Sequence, residues 1–168
     1  MKSGRQESVA EHSWRMALMA YFLRDQFPSV DLTRVLLMAL LHDMGEVFTG
    51  DIPTFEKTDA DRAHEHRRRD EWIDSLPAPY AAEVRALFAE MDAMETEEAH
   101  IARALDRMEA VITHNEGDPH TWLPLEYDLQ RTYGIKEAAF SPTLKDLRAE
   151  INNEVEKVIS SLKKEETI

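Results

Sequence analysis

The sequence predicts an all-α fold packed as one helical bundle, and three observations carry that reading. No segment of useful length alternates apolar and polar residues as a half-buried strand would. Apolar residues recur instead at helical spacing. Start and stop signals, Ser8 with Glu11, Asp31, Thr96, Pro124, Pro28, Gly50, Gly117 and Gly134, divide the chain into helix-sized pieces. At 168 residues, the chain is long enough for one domain with a single substantial core.

The elements follow in order. Ser8 and Glu11 form a capping-box pattern, and Val9, Met16, Met19, Ala20 and Leu23 supply an apolar stripe, so a first helix is expected to about Gln26 and to end before Pro28. Asp31 caps a second helix, apolar all round from Leu36 to Leu41 and therefore expected to be buried, which continues to Gly50. Residues 50–54 form a loop. A charged helix from about Asp59 to Ser75 follows, then one bracketed at its start by Pro77 and Pro79 and running to about Met91. Thr96 opens a fifth helix that ends near Gly117, and Pro124 to Thr132 is a short helix stopped by Gly134. A last amphipathic helix runs from Pro142 to about Leu162. Its stripe of Leu144, Leu147, Ile151, Val155, Val158 and Ile159 must face either the core or a second subunit.

Composition narrows the chemistry. There is no cysteine, which excludes disulfides, zinc ribbons and thiol catalysis and leaves His, Asp and Glu as ligands for a transition metal. A net charge of −13 makes attraction to DNA or RNA unfavourable. The first six residues are polar, and no run approaches the length a membrane span needs, so a cytoplasmic location is expected.

The segment LLMALLHDMGEVFTGDIPT sets His42 and Asp43 at the end of an apolar helix. Burying an imidazole and a carboxylate together costs several kcal/mol unless a cation or hydrogen bonds compensate. Two further ligand types lie on amphipathic helices, His12 in ESVAEHSWRM and Asp106 in IARALDRMEA. Two imidazoles and two carboxylates suit one divalent ion, Mn, Co, Fe, Mg or Zn, and leave positions open for water and a substrate oxygen. Glu46, four residues after His42, is placed on a continuous helix to take a proton from water at such an ion. His64 and His66, two apart among arginines, read as a solvated face. Trp14, Trp72 and Trp122 read as core or interface anchors.

The order H…HD…D, in ESVAEHSWRM, LLHDMGEVFTGDIPT and ALDRMEA, resembles the HD-domain metal-dependent phosphohydrolases, and within them the 5'-deoxynucleotidase branch. The resemblance runs from Arg5 to about Ile112 and fades through the C-terminal helices, about residues 120–163. It implies a single HD-domain helical bundle over residues 1–168 with the metal site between helices. It further implies one divalent ion held by His12, His42, Asp43 and Asp106, with Glu46 as catalytic carboxylate. Asp51, Pro53 and Thr54 fall on the sugar-proximal loop, and Arg5 and Lys57 on basic positions near the phosphate. Members of that branch carry a further helix with a phosphate-binding arginine before the ESVAEHS segment, so either this sequence starts late or the phosphate is held differently. The implied partner is a small anionic nucleotide, and the implied assembly a homodimer. The rival readings are an HD hydrolase of another phosphate ester and a metal-binding regulatory module without turnover.

Overall fold

The computed structural model describes residues 7–165, and side chains from Glu7 to Leu162. Among these residues every regular element is helical. The chain runs α1 (Val9–Leu23), α2 (Leu32–Leu41), α3 (Glu46–Thr49), α4 (Asp59–Ser75), α5 (Tyr80–Ala93), α6 (Glu97–Glu116), α7 (Pro124–Thr132), α8 (Ile135–Ala138) and α9 (Pro142–Glu165). Single 3-10 turns follow α1 and α6, at Arg24–Gln26 and Pro119–Thr121.

The helix starts follow local chemistry. Ser8 and Glu11 close a reciprocal capping box on α1, and Thr58 and Asp61 do the same on α4. Asp31 accepts the Arg34 N–H at the start of α2, and Thr96 accepts that of Ala99 at the start of α6. Helix α6 is the centre of the bundle. It buries Ile101, Ala104, Leu105, Met108 and Val111, and packs against α1, α2, α8 and α9.

Two expectations are corrected. The second helix does not continue to Gly50. Its regular ladder ends at Leu41, and residues 42–45 tighten into turns in which Met44 N–H reaches Leu41 O and Glu46 N–H reaches Asp43 O. The turn runs close against α4. A Cβ on Gly45 would stand 2.9 Å from the Glu65 carbonyl oxygen, so only glycine lets the two backbones approach this closely. Nor is α2 buried all round: Val35, Met38 and Ala39 are buried, but Leu37 and Leu40 are nearly half exposed.

The α9 stripe faces the core. Leu144, Ile151, Val155 and Ile159 are buried, and Leu147 and Val158 pack against them. That stripe therefore gives no support to a subunit interface. The large apolar side chains left outside on the first two helices are Trp14, Tyr21 and Phe22 on α1 and Leu37 and Leu40 on α2. Trp122 is buried, as a core anchor should be. No helix among the described residues is long and apolar enough to cross a membrane.

Candidate metal centre

Three helices converge on one cluster. Helix α1 presents His12, the turn that follows α2 presents His42 and Asp43, and α6 presents Asp106. His12 Nε2 and His42 Nε2 lie 3.2 Å apart. Asp43 Oδ2 stands 3.0 Å from His42 Nε2 and 3.7 Å from His12 Nε2. Asp106 Oδ1 stands 3.5 and 3.7 Å from His12 Nε2 and His42 Nε2. The ligand atoms of His12, His42 and Asp43 all lie within 4.8 Å of one another.

These spacings test whether the residues fit an ion. Metal–ligand bonds of about 2.1 Å put neighbouring donors about 3.0 Å apart in an octahedron and about 3.4 Å apart in a tetrahedron. The observed separations of 3.0–3.7 Å fall around that range. The outer nitrogens are already engaged: His42 Nδ1 donates to Ala39 O at 3.0 Å, and His12 Nδ1 donates to Glu109 Oε2. Both Nε2 atoms are thus the ones turned to the shared space.

The electrostatics agree with the geometry. Burial opposes a charge on His12, but hydrogen bonds to Asp106 and Glu109 outweigh it and push its pKa up to about 11. Burial likewise opposes a charge on His42, and Asp43 and Asp106 outweigh it, raising its pKa to about 10. Asp106 is held well below the usual carboxylate range because its two imidazole neighbours outweigh its burial. A divalent cation bound there would replace the protons on the two Nε2 atoms.

The cluster forms part of the wall of a cavity of about 590 Å3, within the range typical of small-molecule sites. Glu46, Asp51, Pro53, Thr54 and Lys57 line the same cavity, so the structure brings these sequence-predicted residues together. Thr54 Oγ1 lies 3.4 Å from the Tyr133 hydroxyl, which ties the loop to the end of α7. Arg5 lies outside the described residues. His64 and His66 are exposed on α4, and His66 edges the cavity.

Lys57 is not a free cation. Its Nζ sits 2.7 Å from Glu46 Oε1 and 2.8 Å from Glu65 Oε1, with the lysine side chain 9% exposed. Glu46 is raised to about 7, first by burial and then by the Asp43 charge, while Lys57 pulls it the other way. A carboxyl that titrates near neutrality can accept a proton from water at physiological pH.

Sequence reasoning missed three features of the site. Glu109 is fully buried beneath His12; its signal was its place three residues after Asp106, on the same face of α6. Glu65 sits within a basic run and gave no local sign of pairing with Lys57. Arg103 and Arg107 flank Asp106 and line the cavity, 3.7 and 3.8 Å from Asp106 Oδ2 and thus beyond hydrogen-bond distance.

The HD-domain family profile matches residues 1–148. The chain belongs to the HD-domain family. Among curated relatives, this HD-domain chain is 33% identical to the mouse (Mus musculus) protein 5'-deoxynucleotidase HDDC2 over 114 residues, 66% of this chain and 55% of that protein. It is 31% identical to the 5'-deoxynucleotidase ECA3034 of Pectobacterium atrosepticum over 115 residues, 62% of this chain and 58% of that one. The chain spans little more than half the length of these relatives. In structure it is similar to the crystal structure of a predicted metal-dependent phosphohydrolase from Magnetospirillum magnetotacticum MS-1. The TM-score is 0.73 at 30% identity, covering 93% of this chain and 81% of that one.

Proposed function

We propose that this HD-domain protein is a metal-dependent phosphomonoesterase that hydrolyses deoxynucleoside 5'-monophosphates to nucleoside and phosphate. The observation that carries the reading is the convergence of His12, His42, Asp43 and Asp106 at metal-ligand spacing in the cavity that also holds Glu46. The relatives named as 5'-deoxynucleotidases support the substrate class.

One divalent ion on those four residues would lower the pKa of water and neutralise charge building on the phosphoryl oxygens. Glu46 takes the proton of the attacking water, and its raised pKa matches that task. Arg103 and Arg107, with no carboxylate at hydrogen-bond distance among the described residues, supply positive charge to the substrate phosphate. Asp51 is exposed on the cavity wall, where it would accept a hydrogen bond from a sugar 3'-hydroxyl, and on this reading Ile52 and Pro53 beside it would leave no room for a ribose 2'-hydroxyl. Leaving that hydroxyl unpaired costs about 1–3 kcal/mol, which favours deoxyribose by roughly tenfold or more. The same proposal includes a homodimer, supported by the exposed Trp14, Phe22, Leu37 and Leu40.

The test is release of phosphate from dAMP, AMP, dCMP and dTMP, with and without added Mn, Co, Fe, Mg or Zn. Turnover restored by a divalent ion and faster on dAMP than on AMP is expected. Metal binding without turnover would favour a regulatory module, and faster hydrolysis of AMP would refute the deoxyribose preference.

A further inference from the structure

We infer that Glu109 is a positioning residue that sets the metal affinity of the site by fixing the ring of His12. This rests on the metal site proposed above. Glu109 is a charged side chain with no solvent exposure, on the most deeply buried helix of the fold. A buried carboxylate without partners would cost several kcal/mol. Its partners take up both oxygens, and Glu7 stands near it, with ligand atoms of Glu7, His12 and Glu109 within 4.8 Å of one another. Oε1 accepts from the Thr113 hydroxyl at 2.9 Å and lies 3.3 Å from Arg15 Nε. Oε2 is left to His12 Nδ1.

The consequence is directional. A carboxylate can only accept, so Nδ1 carries the proton and Nε2 is the nitrogen left to bind an ion. His42 reaches the same state through a backbone carbonyl, Ala39 O, which no side-chain substitution removes. His12 depends on one side chain for what His42 receives from the main chain. Arg15 also holds Thr113 in place: Nη1 donates to Thr113 Oγ1 at 3.1 Å and pairs with Glu116 at 3.0 Å. Glu109 therefore does more than fill space beneath the cluster. Its charge makes His12 a stronger electron donor, and its position prevents the ring from turning Nδ1 towards the ion.

The experiment compares the full chain with Glu109→Ala and Glu109→Gln, using Mn2+ alone for calorimetric affinity and Zn2+ alone for imidazole nitrogen NMR. In the parent protein one ion per chain is expected, with His12 showing a slowly exchanging, downfield Nδ1–H in the Zn2+ form. In Glu109→Ala the Mn2+ Kd is expected to rise by about ten- to a hundredfold, with that resonance lost. Glu109→Gln keeps an acceptor but loses the charge, so a smaller, several-fold rise and an upfield shift are expected. If Glu109→Ala does not fold, the near-isosteric glutamine variant decides alone. A lowered melting temperature with unchanged Kd and unchanged imidazole spectra would make Glu109 purely structural and overturn the inference. Two ions per chain would also overturn it, by making Glu109 a ligand with Glu7 and His12. A parent protein that binds neither ion would overturn the metal site itself, a different result from either.

Discussion

Replacing Lys57 with methionine separates two roles that a lysine in this cavity could have. The side chain stays long and apolar along its stem, but the charge 2.7 Å from Glu46 Oε1 and 2.8 Å from Glu65 Oε1 disappears. A charge-assisted hydrogen bond contributes about 1.5–3 kcal/mol, and one pKa unit is about 1.4 kcal/mol, so Glu46 should rise by roughly one to two units from its value of about 7. A general base works deprotonated, so activity appears as pH rises through its pKa, and a higher pKa moves that acid limb to higher pH. At pH 7 the ionised fraction would fall from about half to roughly 1–10%, a loss of about five- to fiftyfold that recovers near pH 9. A bound cation lowers the limb in both proteins, so the difference between them is the quantity to measure. The assay is kcat/KM against pH on one nucleotide at fixed metal saturation. An acid limb that stays in place while KM rises equally at every pH would refute this reasoning and make Lys57 a phosphate contact.

Three further outcomes follow from the same geometry. Asp43→Ala should lose the ion, and with it the stabilisation of about 2.7 kcal/mol that metal at a hundred times its Kd gives the parent, read as a metal-induced melting shift that vanishes; unchanged stoichiometry would remove Asp43 from the site. Glu46→Gln should keep the metal and lose roughly two to four orders of magnitude in turnover, with loss of metal instead marking Glu46 as a ligand or its support. Light scattering at micromolar concentration should give twice the chain mass, and a Phe22→Asp variant should shift it towards the monomer; a monomeric parent would remove the homodimer.

How much of this was legible in the sequence depended on how far apart the causes lie. Helix starts were readable because a cap and its partner sit three residues apart, as Ser8 and Glu11 do. The four converging ligand types were readable because the HD pair is a local signature and His12 and Asp106 lie on amphipathic helices. The close packing at Gly45 was not, since it is made with the Glu65 carbonyl of a later helix. The pairing of Lys57 has the same origin: it is made by the packing of α4 on the turn, whereas the resemblance placed Lys57 only at a basic position near the phosphate. The α9 stripe was read correctly as apolar, but periodicity alone cannot say whether core or partner covers it.

Helix α6 gives the site a rigid half and a yielding half. The helix that presents Asp106 and Glu109 also buries Ala104, Leu105, Met108 and Val111 at its centre. Those residues cannot be released without dissolving the core, so the amides around Asp106 should exchange with solvent only through global unfolding. The opposite wall, Gly50 to Glu56, is mostly exposed, has one short helical turn of contacts back to Pro53, and is tied to α7 by a long hydroxyl pair. On the proposed function, the loop side of the cavity is thus the loosely held one. Random change is correspondingly unequal on the two sides: the loop can vary and retune what is admitted, whereas a one-residue insertion in α6 would swing Asp106 about 100° away from its partners and unpack the interior in the same stroke.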